Sequence, residues 1–262
     1  LTDWSKVSTG GTYALAIKTN GTLWSWGVNG SGQLGLDNTI SYSSPVQVGA
    51  DSNWAQISAG ASNSSLAIKT DGTIWAWGAN SFGQLGLNNT ISYSSPVQIG
   101  SLSNWSQVSI GSVTTLAIKT NGTLWAWGFN SNGSVGDGTT TNRSSPVQIG
   151  TLSTWTQIAS SVQTSSAIKS DGTLWAWGLG TSGQLGALNA ESKSSPTQVG
   201  SASNWSSIEA SQYGLLAKNT GSSVYSCGSG VSGRTGLNAA TGYSSPVQVG
   251  ANEWAKVAFT ST

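Results

Sequence analysis

Hydrophobic and polar positions along this chain follow a pattern that returns about every fifty residues. In the first unit, Leu15 and Ile17 fall on one face of an alternating run, which indicates a half-buried β-strand. Asn20-Gly21 follows, and an Asn-Gly pair between two such runs is typical of a β-hairpin turn. Shorter runs at 4–8 and 43–49 flank this hairpin. The pattern therefore predicts four short strands and no helix in each unit.

Tryptophan occurs at two places in the unit. One set begins the first strand: Trp4, Trp54, Trp105, Trp155, Trp205 and Trp254. The other forms a W-x-W-G signature in the second strand of the hairpin: Trp24, Trp26, Trp75, Trp77, Trp125, Trp127, Trp175 and Trp177. A fifth copy of the signature reads Tyr225-Ser226-Cys227-Gly228. A buried Trp removes about 150–250 Å² from water, so we expect the signature indoles to form the core between successive units.

Four antiparallel strands per unit, repeated radially, predict an all-β fold, a β-propeller with about five blades in this chain. These blades form either the whole ring or part of a larger one, and a linear solenoid is the competing arrangement. We expect residues 1–262 to form a single domain. Its hairpin units are predicted near 10–59, 60–110, 111–160, 161–210 and 211–259, with an extra N-terminal strand at 1–9. A sixth Trp strand is predicted at 254–259.

The repeated text includes Ala14-Leu15, Asn20-Gly21, Trp26-Gly27 and Gly32-Gln33-Leu34-Gly35. It resembles the regulator of chromosome condensation repeat, and the match recurs five times along the chain. The resemblance implies a propeller of four-stranded blades, usually seven. Near-identical repeats with W-x-W-G are similar to bacterial or phage members. The family commonly has His two residues before the Ala-Leu strand, where we place Tyr13, Ser64, Thr114, Thr164 and Tyr213.

The eukaryotic founder of that family is a nucleotide-exchange factor for a small GTPase, and a bacterial relative of similar repeat style is a β-lactamase inhibitor. Both act through one face of the propeller. Nothing in this sequence matches the founder's functional surface, so the resemblance does not carry exchange activity to this chain. It does imply that the loops at one end of the blades are where a partner would bind.

Composition limits the chemistry. Charged residues make up 7% of the chain, and ten Lys and Arg against nine Asp and Glu give a net charge of +1. Without a basic stripe or a long apolar run, we expect neither nucleic-acid binding nor a membrane span. There is no His, and Cys227 is the single cysteine. The carboxylates form no close pair in sequence, so the interpretation is a non-enzyme with no catalytic residues, no metal site and no cofactor. Residues 137–142 weakly resemble a calcium loop and are interpreted as a turn.

Lysines precede the hairpin turn in every repeat, at Lys18, Lys69, Lys119, Lys169 and Lys218. One interpretation is a ring of cations that attracts an anionic partner. The interpretation we favour is that each lysine ends a strand with its ammonium group in water and discourages edge pairing.

Variable loops on a rigid repeated frame are the usual place for binding. The candidate partner-binding residues in or beside these loops are Tyr42, Phe82, Tyr93, Phe129, Arg143 and Tyr243. The alternative for each is that it packs against its own blade. We predict a non-catalytic, surface-exposed module for adhesion or assembly, extracellular or on a cell or virion surface, with a protein or surface glycan as partner. A propeller-type enzyme inhibitor is the alternative, and a GTPase exchange factor is a further one. The chain begins inside a repeat, so we interpret it as a processed product or part of a longer protein.

Overall fold

A computed structural model describes residues 3–238, 240–251 and 254 of the chain. Within them, twenty strands form five four-stranded antiparallel sheets, and the helical element is one 3-10 turn, Val231–Gly233. The first strands are β1 (Trp4–Thr9), β5 (Trp54–Ala59), β9 (Trp105–Ile110), β13 (Trp155–Ser160) and β17 (Trp205–Ala210). The second strands are β2 (Tyr13–Lys18), β6 (Ser64–Lys69), β10 (Thr114–Lys119), β14 (Thr164–Lys169) and β18 (Gly214–Asn219).

The third strands are β3 (Leu23–Gly27), β7 (Ile74–Gly78), β11 (Leu124–Gly128), β15 (Leu174–Gly178) and β19 (Val224–Gly228). The fourth strands are β4 (Tyr42–Gln47), β8 (Tyr93–Gln98), β12 (Arg143–Gln148), β16 (Lys193–Gln198) and β20 (Tyr243–Gln248). Strand order in every sheet is the order of the sequence, so each sheet is a simple meander. The prediction of an all-β fold built from five four-stranded blades is confirmed.

The first strands of neighbouring blades pack against one another, so they line the inner side and the fourth strands lie on the perimeter. Because consecutive strands are antiparallel, their connections alternate between two ends of the blade. We call one end the loop face; it carries the short turns after the first strands and the long loops 28–41, 79–92, 129–142, 179–192 and 229–242. We call the other end the hairpin face; it carries the tight hairpins and the connections between blades.

The sheets are offset by one strand from the units drawn on the sequence. Strand Trp4–Thr9, predicted as an extra strand, pairs with Tyr13–Lys18 inside the first sheet. The error arises because a repeat can be divided at any point of its period, and only strand pairing shows which four strands share a sheet. Of the predicted sixth Trp strand, only Trp254 falls within the described residues; its backbone N–H donates to Ser222 O at 3.0 Å.

The hairpins explain why Asn or Asp, Gly and Thr recur together. In the second blade, Gly72 adopts φ +79°, a left-handed conformation that glycine takes without a steric cost. Asp71 Oδ1 accepts hydrogen bonds from the Thr73 N–H at 2.9 Å and from the Thr73 hydroxyl at 2.7 Å. Thr73 Oγ1 in turn accepts the indole N–H of Trp75 at 3.0 Å. The turn therefore fixes the first Trp of the signature.

The second Trp of the signature joins one blade to the one before it. Trp77, Trp127 and Trp177 are fully buried, in hydrophobic clusters that each draw on two successive blades. Their indole N–H groups donate to the carbonyls of Gln33, Gln84 and Ser134 at 2.9, 2.9 and 3.0 Å. Those carbonyls belong to the Gly-Gln-Leu-Gly segment, or its variant, of the preceding blade. This segment recurs because it receives the next blade's indole.

The first blade differs from the internal ones. Trp26 is only half-buried, whereas its equivalents in the next three blades are fully buried, and Val7 is 60% exposed. Trp24, Trp26 and Val7 lie on the face turned away from the second blade. Of the predicted inter-blade residues, Trp24 and Trp26 therefore contribute to none of the four interfaces that the described residues form.

The fifth repeat is shifted by one residue from the alignment read in the sequence. Asn219, not Lys218, lies opposite Trp205, whereas Lys119 lies opposite Trp105. Likewise Gly214, not Tyr213, begins the second strand of the fifth blade. The Ala-Ile-Lys text of the other repeats is Ala217-Lys218-Asn219 here, so matching lysine to lysine misplaced both positions.

Candidate binding surfaces

The loop face carries an aromatic pair in which one ring is exposed and the other is half-buried. Phe82, from the second blade, and Phe129, from the third, meet edge to face with ring centroids 5.0 Å apart. Phe82 is 39% exposed. Both residues were candidates from the sequence. Their contact was not predicted, because they occupy different positions in the loops of two adjacent blades. Such pairs at an exposed junction are typical anchors of protein interfaces.

Buried asparagines hold the long loops in place. The Asn80 side chain accepts a hydrogen bond from the Leu85 N–H at 3.0 Å. Its amide group donates to the carbonyls of Asn89 and Ile91 at 3.1 and 3.0 Å. Asn29 and Asn130 make the same bonds in the first and third blades. These loops are therefore supported from within, which keeps the exposed side chains in fixed places.

The other predicted anchors stand at the start of the perimeter strands and are half-buried: Tyr42, Tyr93, Arg143 and Tyr243. Tyr42 and Tyr93 pack against the hydrophobic clusters between blades, and Asn89 Nδ2 lies 3.1 Å from the Tyr93 hydroxyl. Arg143 Nε donates to Asp137 Oδ2 at 2.6 Å. These contacts are compatible with the alternative weighed from the sequence, and the binding role of the four residues stays a prediction.

Large hydrophobic side chains gather at the loop face. Exposed ones in the long loops are Val28, Ile40, Phe82, Ile91, Leu188 and Val231. Carboxylates at this end are partly neutralised, since Asp137 pairs with Arg143 and Glu191 with Lys193. Burial alone would raise the pKa of Asp137, but hydrogen bonds from Thr139 and Arg143 hold that pKa below its usual value. The loop face thus combines scattered exposed hydrophobic side chains with few unpaired charges.

Grooves on the perimeter form a second set of candidate surfaces, one at each junction between successive blades from the first to the fourth. The groove between the second and third blades, here the Lys119 groove, has a volume of about 510 Å³. Its lining includes Tyr93, Leu102, Trp105, Lys119 and Trp125. The equivalent Lys69 groove joins the first and second blades, and the Lys169 groove joins the third and fourth.

The lysines of these grooves sit between two indoles, not in water. The Nζ atom of Lys119 lies 3.7 Å from the Trp125 ring centroid and 4.8 Å from that of Trp105. Lys18, Lys69 and Lys169 are placed in the same way in their own blades. The interpretation that each ammonium group stays in water is wrong for Lys69, Lys119 and Lys169, which are all buried. The alternating sequence pattern predicted that each lysine ends a strand. It did not show that the Trp of the first strand packs over the lysine.

Groups for chemistry are sparse. Among the described residues, no three His, Cys, Asp or Glu side chains come together as a metal site would require. Asp71 and Asp171 serve the hairpin turns, and Asp137 caps its loop through Thr139. No helix in the described part of the chain is long and apolar enough to cross a membrane.

Comparison with known proteins agrees with this architecture. Mouse Protein RCC2 is 43% identical over 89 residues, which is 33% of this chain and 17% of that protein. The ultraviolet-B receptor UVR8 of Arabidopsis thaliana is 35% identical over 101 residues, 38% of this chain and 23% of that protein. The chain therefore matches less than a quarter of the length of either relative.

Solved structures share the fold at low identity. Human WBSCR16 superposes with a TM-score of 0.85 at 22% identity, covering 97% of this chain and 69% of that one. Prp20p from Saccharomyces cerevisiae, which is described with its binding to Gsp1p and histones, gives a TM-score of 0.61 at 18% identity, covering 95% and 77%. The model of the RCC1-like domain matches residues 2–261. The predicted family is thereby confirmed: the chain belongs to the RCC1-like domain family.

Proposed function

We propose that this protein is a non-catalytic binding module that contacts a protein partner through its loop face. The observation that carries the proposal is the contact between the exposed ring of Phe82 and the half-buried ring of Phe129, set on loops that buried asparagines hold from within. Ile40, Ile91 and Leu188 are further exposed hydrophobic side chains at the same end. Aromatic side chains are enriched among the residues that dominate protein interfaces.

The chemistry of the loop face supports a protein partner over a glycan. Aliphatic side chains such as Ile40 and Leu188 favour other apolar side chains. Interface centres are depleted in charged residues, and the Asp137–Arg143 and Glu191–Lys193 pairs lower the free charge at this end. We propose a role in adhesion or assembly at a cell or virion surface. The low charge content, 7%, supports this location.

The experiment compares variants on the loop face with one elsewhere on the blades. Phe82→Ser and Phe129→Ser remove the aromatic pair, and Val7→Ser removes an exposed hydrophobic side chain from the first strand of the first blade. Each protein is immobilised, and the surface proteins of its source that it retains are quantified by mass spectrometry. We expect the Phe variants to lose partner binding by at least about tenfold, as hot-spot residues do, and Val7→Ser to retain it. Equal retention by all variants would contradict the proposal.

The surface role has its own test. Antibodies against the protein are applied to intact cells or virions and, as the control, to lysed ones. We expect labelling of the intact particles, and labelling only after lysis would contradict surface display while leaving the binding assay unaffected.

An exchange factor for a small GTPase is a second candidate, because the fold resembles that of Prp20p, whose structure is described with its binding to Gsp1p. Release of labelled GDP from Gsp1p measures this directly, and acceleration by the protein would favour this candidate over a plain binding module.

An enzyme inhibitor is the third candidate. The aromatic pair supports this candidate, but Asp137 and Glu191 at the same end are already paired with Arg143 and Lys193, which leaves few free carboxylates to bind an enzyme's cleft.

A further inference from the structure

The Lys69 groove already contains a carboxylate. Asp51, on the connection between the first and second blades, places Oδ2 at 2.8 Å from Lys69 Nζ. Its side chain remains 58% exposed, so it approaches the lysine from the solvent side of the groove. Asp51 forms part of the groove wall together with Trp54 and Trp75. An ammonium group between two indoles is thus accessible to a carboxylate from outside the blade.

The Lys119 groove has the same parts without the carboxylate. Three residues before its Trp, where the previous repeat has Asp51, this repeat has Leu102. Lys119 forms part of the wall of its groove, and no carboxylate of the described residues lies within ion-pair distance of it. The other polar lining residues include Asn88 and Asn89, which are neutral. This groove therefore holds one buried cation with no counter-charge.

A buried ammonium group without an anion is costly to keep. Lys119 is 6% exposed, and its burial lowers the pKa of its ammonium group. The indole faces of Trp105 and Trp125 attract the cation, but a cation–π contact supplies only part of what a carboxylate would. An arriving carboxylate would gain a charge-assisted hydrogen bond in a partly desolvated place, where such bonds are strongest.

We propose that the Lys119 groove binds the carboxylate side chain of an acidic segment of a partner protein, in the way that Asp51 occupies the Lys69 groove. Exposed Leu102 and the ring of Tyr93 would contact the apolar neighbours of that carboxylate. This site lies between two blades on the perimeter and includes neither Phe82 nor Phe129, so it does not depend on the role proposed for those two residues.

The Lys169 groove is expected to bind the same ligand less well. It also has a leucine, Leu152, at the position of Asp51, and Lys169 is 7% exposed. The carboxylate of Asp171, however, already attracts the ammonium group of Lys169. An arriving carboxylate would therefore gain less there than in the Lys119 groove. The three grooves thus form a graded series within one chain.

The probe is the chain's own segment 49–53, Gly-Ala-Asp-Ser-Asn, as an acetylated and amidated peptide, with an Asp-to-Asn peptide as control. The full chain is labelled with ¹⁵N at tryptophan, and the indole N–H resonances are assigned by single Trp→Phe variants. We expect the acidic peptide to move the resonances of Trp105 and Trp125 and to leave those of Trp54 and Trp75 in place, because Asp51 blocks their groove.

Two sets of variants test the grooves by adding a carboxylate to the Lys119 groove and by removing the one in the Lys69 groove. Leu102→Asp should fill the Lys119 groove and weaken peptide binding by at least about tenfold, whereas the neutral Leu102→Asn should not. Asp51→Leu should open the Lys69 groove, so that Trp54 and Trp75 then respond. Lys119→Met should abolish the response of Trp105 and Trp125, and urea midpoints confirm that each variant is folded.

The outcomes decide the proposal. Loss of the response with Leu102→Asp and its retention with Leu102→Asn support it. An equal response to the Asn peptide, an unchanged response in Lys119→Met, or no movement of Trp105 and Trp125 at millimolar peptide in the folded protein overturns it. None of these results bears on the loop-face variants, so the two proposals fail separately.

Discussion

The interface between the second and third blades and the interface between the fourth and fifth blades use the same frame with different side chains. In the former, the Gln84 carbonyl accepts the indole N–H of Trp127 at 2.9 Å and the hydroxyl of Thr115 at 2.8 Å. In the latter, the Gln184 carbonyl faces the thiol of Cys227 at 3.9 Å. A pair of ordinary hydrogen bonds is replaced by a long and weak contact.

Part of the volume lost at Cys227 is regained from the neighbouring strand. Thr115 lies directly opposite Trp127, and in the fifth blade Leu215 lies directly opposite Cys227. Both Cys227 and Leu215 are buried in the cluster between the fourth and fifth blades. The pair Trp and Thr of the third blade is thus replaced by Cys and Leu, and the larger Leu fills part of the space that the indole leaves.

The difference separates two functions of the indole. Filling the space between blades can be shared between strands, but the hydrogen bonds to the preceding loop require a donor at one place. We therefore expect the fifth blade to be packed yet less firmly tied to its neighbour. In a stack where each unit contacts mainly its neighbours, such an interface opens first.

The largest effect should come from removing an indole of the intact interface. Trp127→Ala leaves a cavity and deprives the Gln84 carbonyl of its indole donor, and we expect a loss of about 3–5 kcal/mol in the free energy of unfolding. Trp26→Ala is the matched control, because Trp26 is the equivalent residue on the exposed side of the first blade and is only half-buried. Urea unfolding followed by circular dichroism measures both. Equal losses would show that the indole acts within its own blade and not between blades.

A second change tests how closely the preceding loop meets that indole. Gly86 adopts φ +74°, and a Cβ atom there would lie 2.8 Å from Trp127 Nε1. Gly86→Ala should cost about 2–4 kcal/mol, the sum of a left-handed alanine and overpacking. Gly100→Ala is the control, because Gly100 has φ +61° with no atom within 4 Å of the added carbon. Urea unfolding measures both variants. An equal decrease in their free energies of unfolding would show that the close approach of the loop to the indole does not contribute to stability.

The exchange seen in the fifth blade can be copied into the third. Trp127→Cys alone leaves a cavity, and adding Thr115→Leu supplies carbon opposite it, as Leu215 does opposite Cys227. We expect the second change to recover about 1–2 kcal/mol in the Trp127→Cys background and to be destabilising in the wild type. A double-mutant cycle from urea midpoints measures this coupling. A coupling of zero would mean that Leu215 does not compensate for Cys227.

The sequence predicts most of the architecture because periodic residues have periodic roles. The spacing of Trp and of Asn/Asp-Gly turns predicted the strands and the blade type, and the repeated motifs carried the resemblance to the family. The place where the repeat is divided does not follow from period alone, and so Trp4–Thr9 was set apart from its own sheet. In the fifth repeat, similarity of residue type misled, since Lys218 stands one position from its expected place.

Binding surfaces were predictable only in part. Phe82 and Phe129 could be predicted as candidates because they are large aromatic residues in variable loops. Their contact could not be predicted, because it depends on how adjacent blades are placed. The environment of Lys119 could not be predicted, because Trp105 and Trp125 come from two strands that flank β10. The sequence shows Leu102 in the third repeat at the position that Asp51 has in the second. Only the structure shows that the difference matters for binding, because it places the Asp51 carboxylate against Lys69.

The smallest effect concerns the thiol that replaced the indole. Burial raises the pKa of Cys227 to about 12. An ordinary thiol in the unfolded chain titrates near pH 8.5, so the folded state binds the proton more tightly. The stabilisation from a neutral buried thiol is complete below the unfolded pKa and is lost as pH rises from there towards about 12. We expect the stability difference between wild type and Cys227→Ala to fall by about 1 kcal/mol between pH 7 and pH 9 and to continue to fall at pH 10.

Urea unfolding of both proteins at pH 7, 9 and 10 measures this difference, and the Ala variant subtracts the tyrosines and lysines that titrate in the same range. Iodoacetamide provides an independent reading, since Cys227 is the single cysteine and is fully buried. Its alkylation at pH 8 should proceed only through opening of the fifth blade, and therefore slow down when the fourth–fifth interface is strengthened. Two results together would contradict this account: a stability difference that stays constant with pH, and alkylation of Cys227 as fast as that of a free thiol. They would show that water already reaches Cys227 in the folded protein, and that the fourth and fifth blades are not packed together as described.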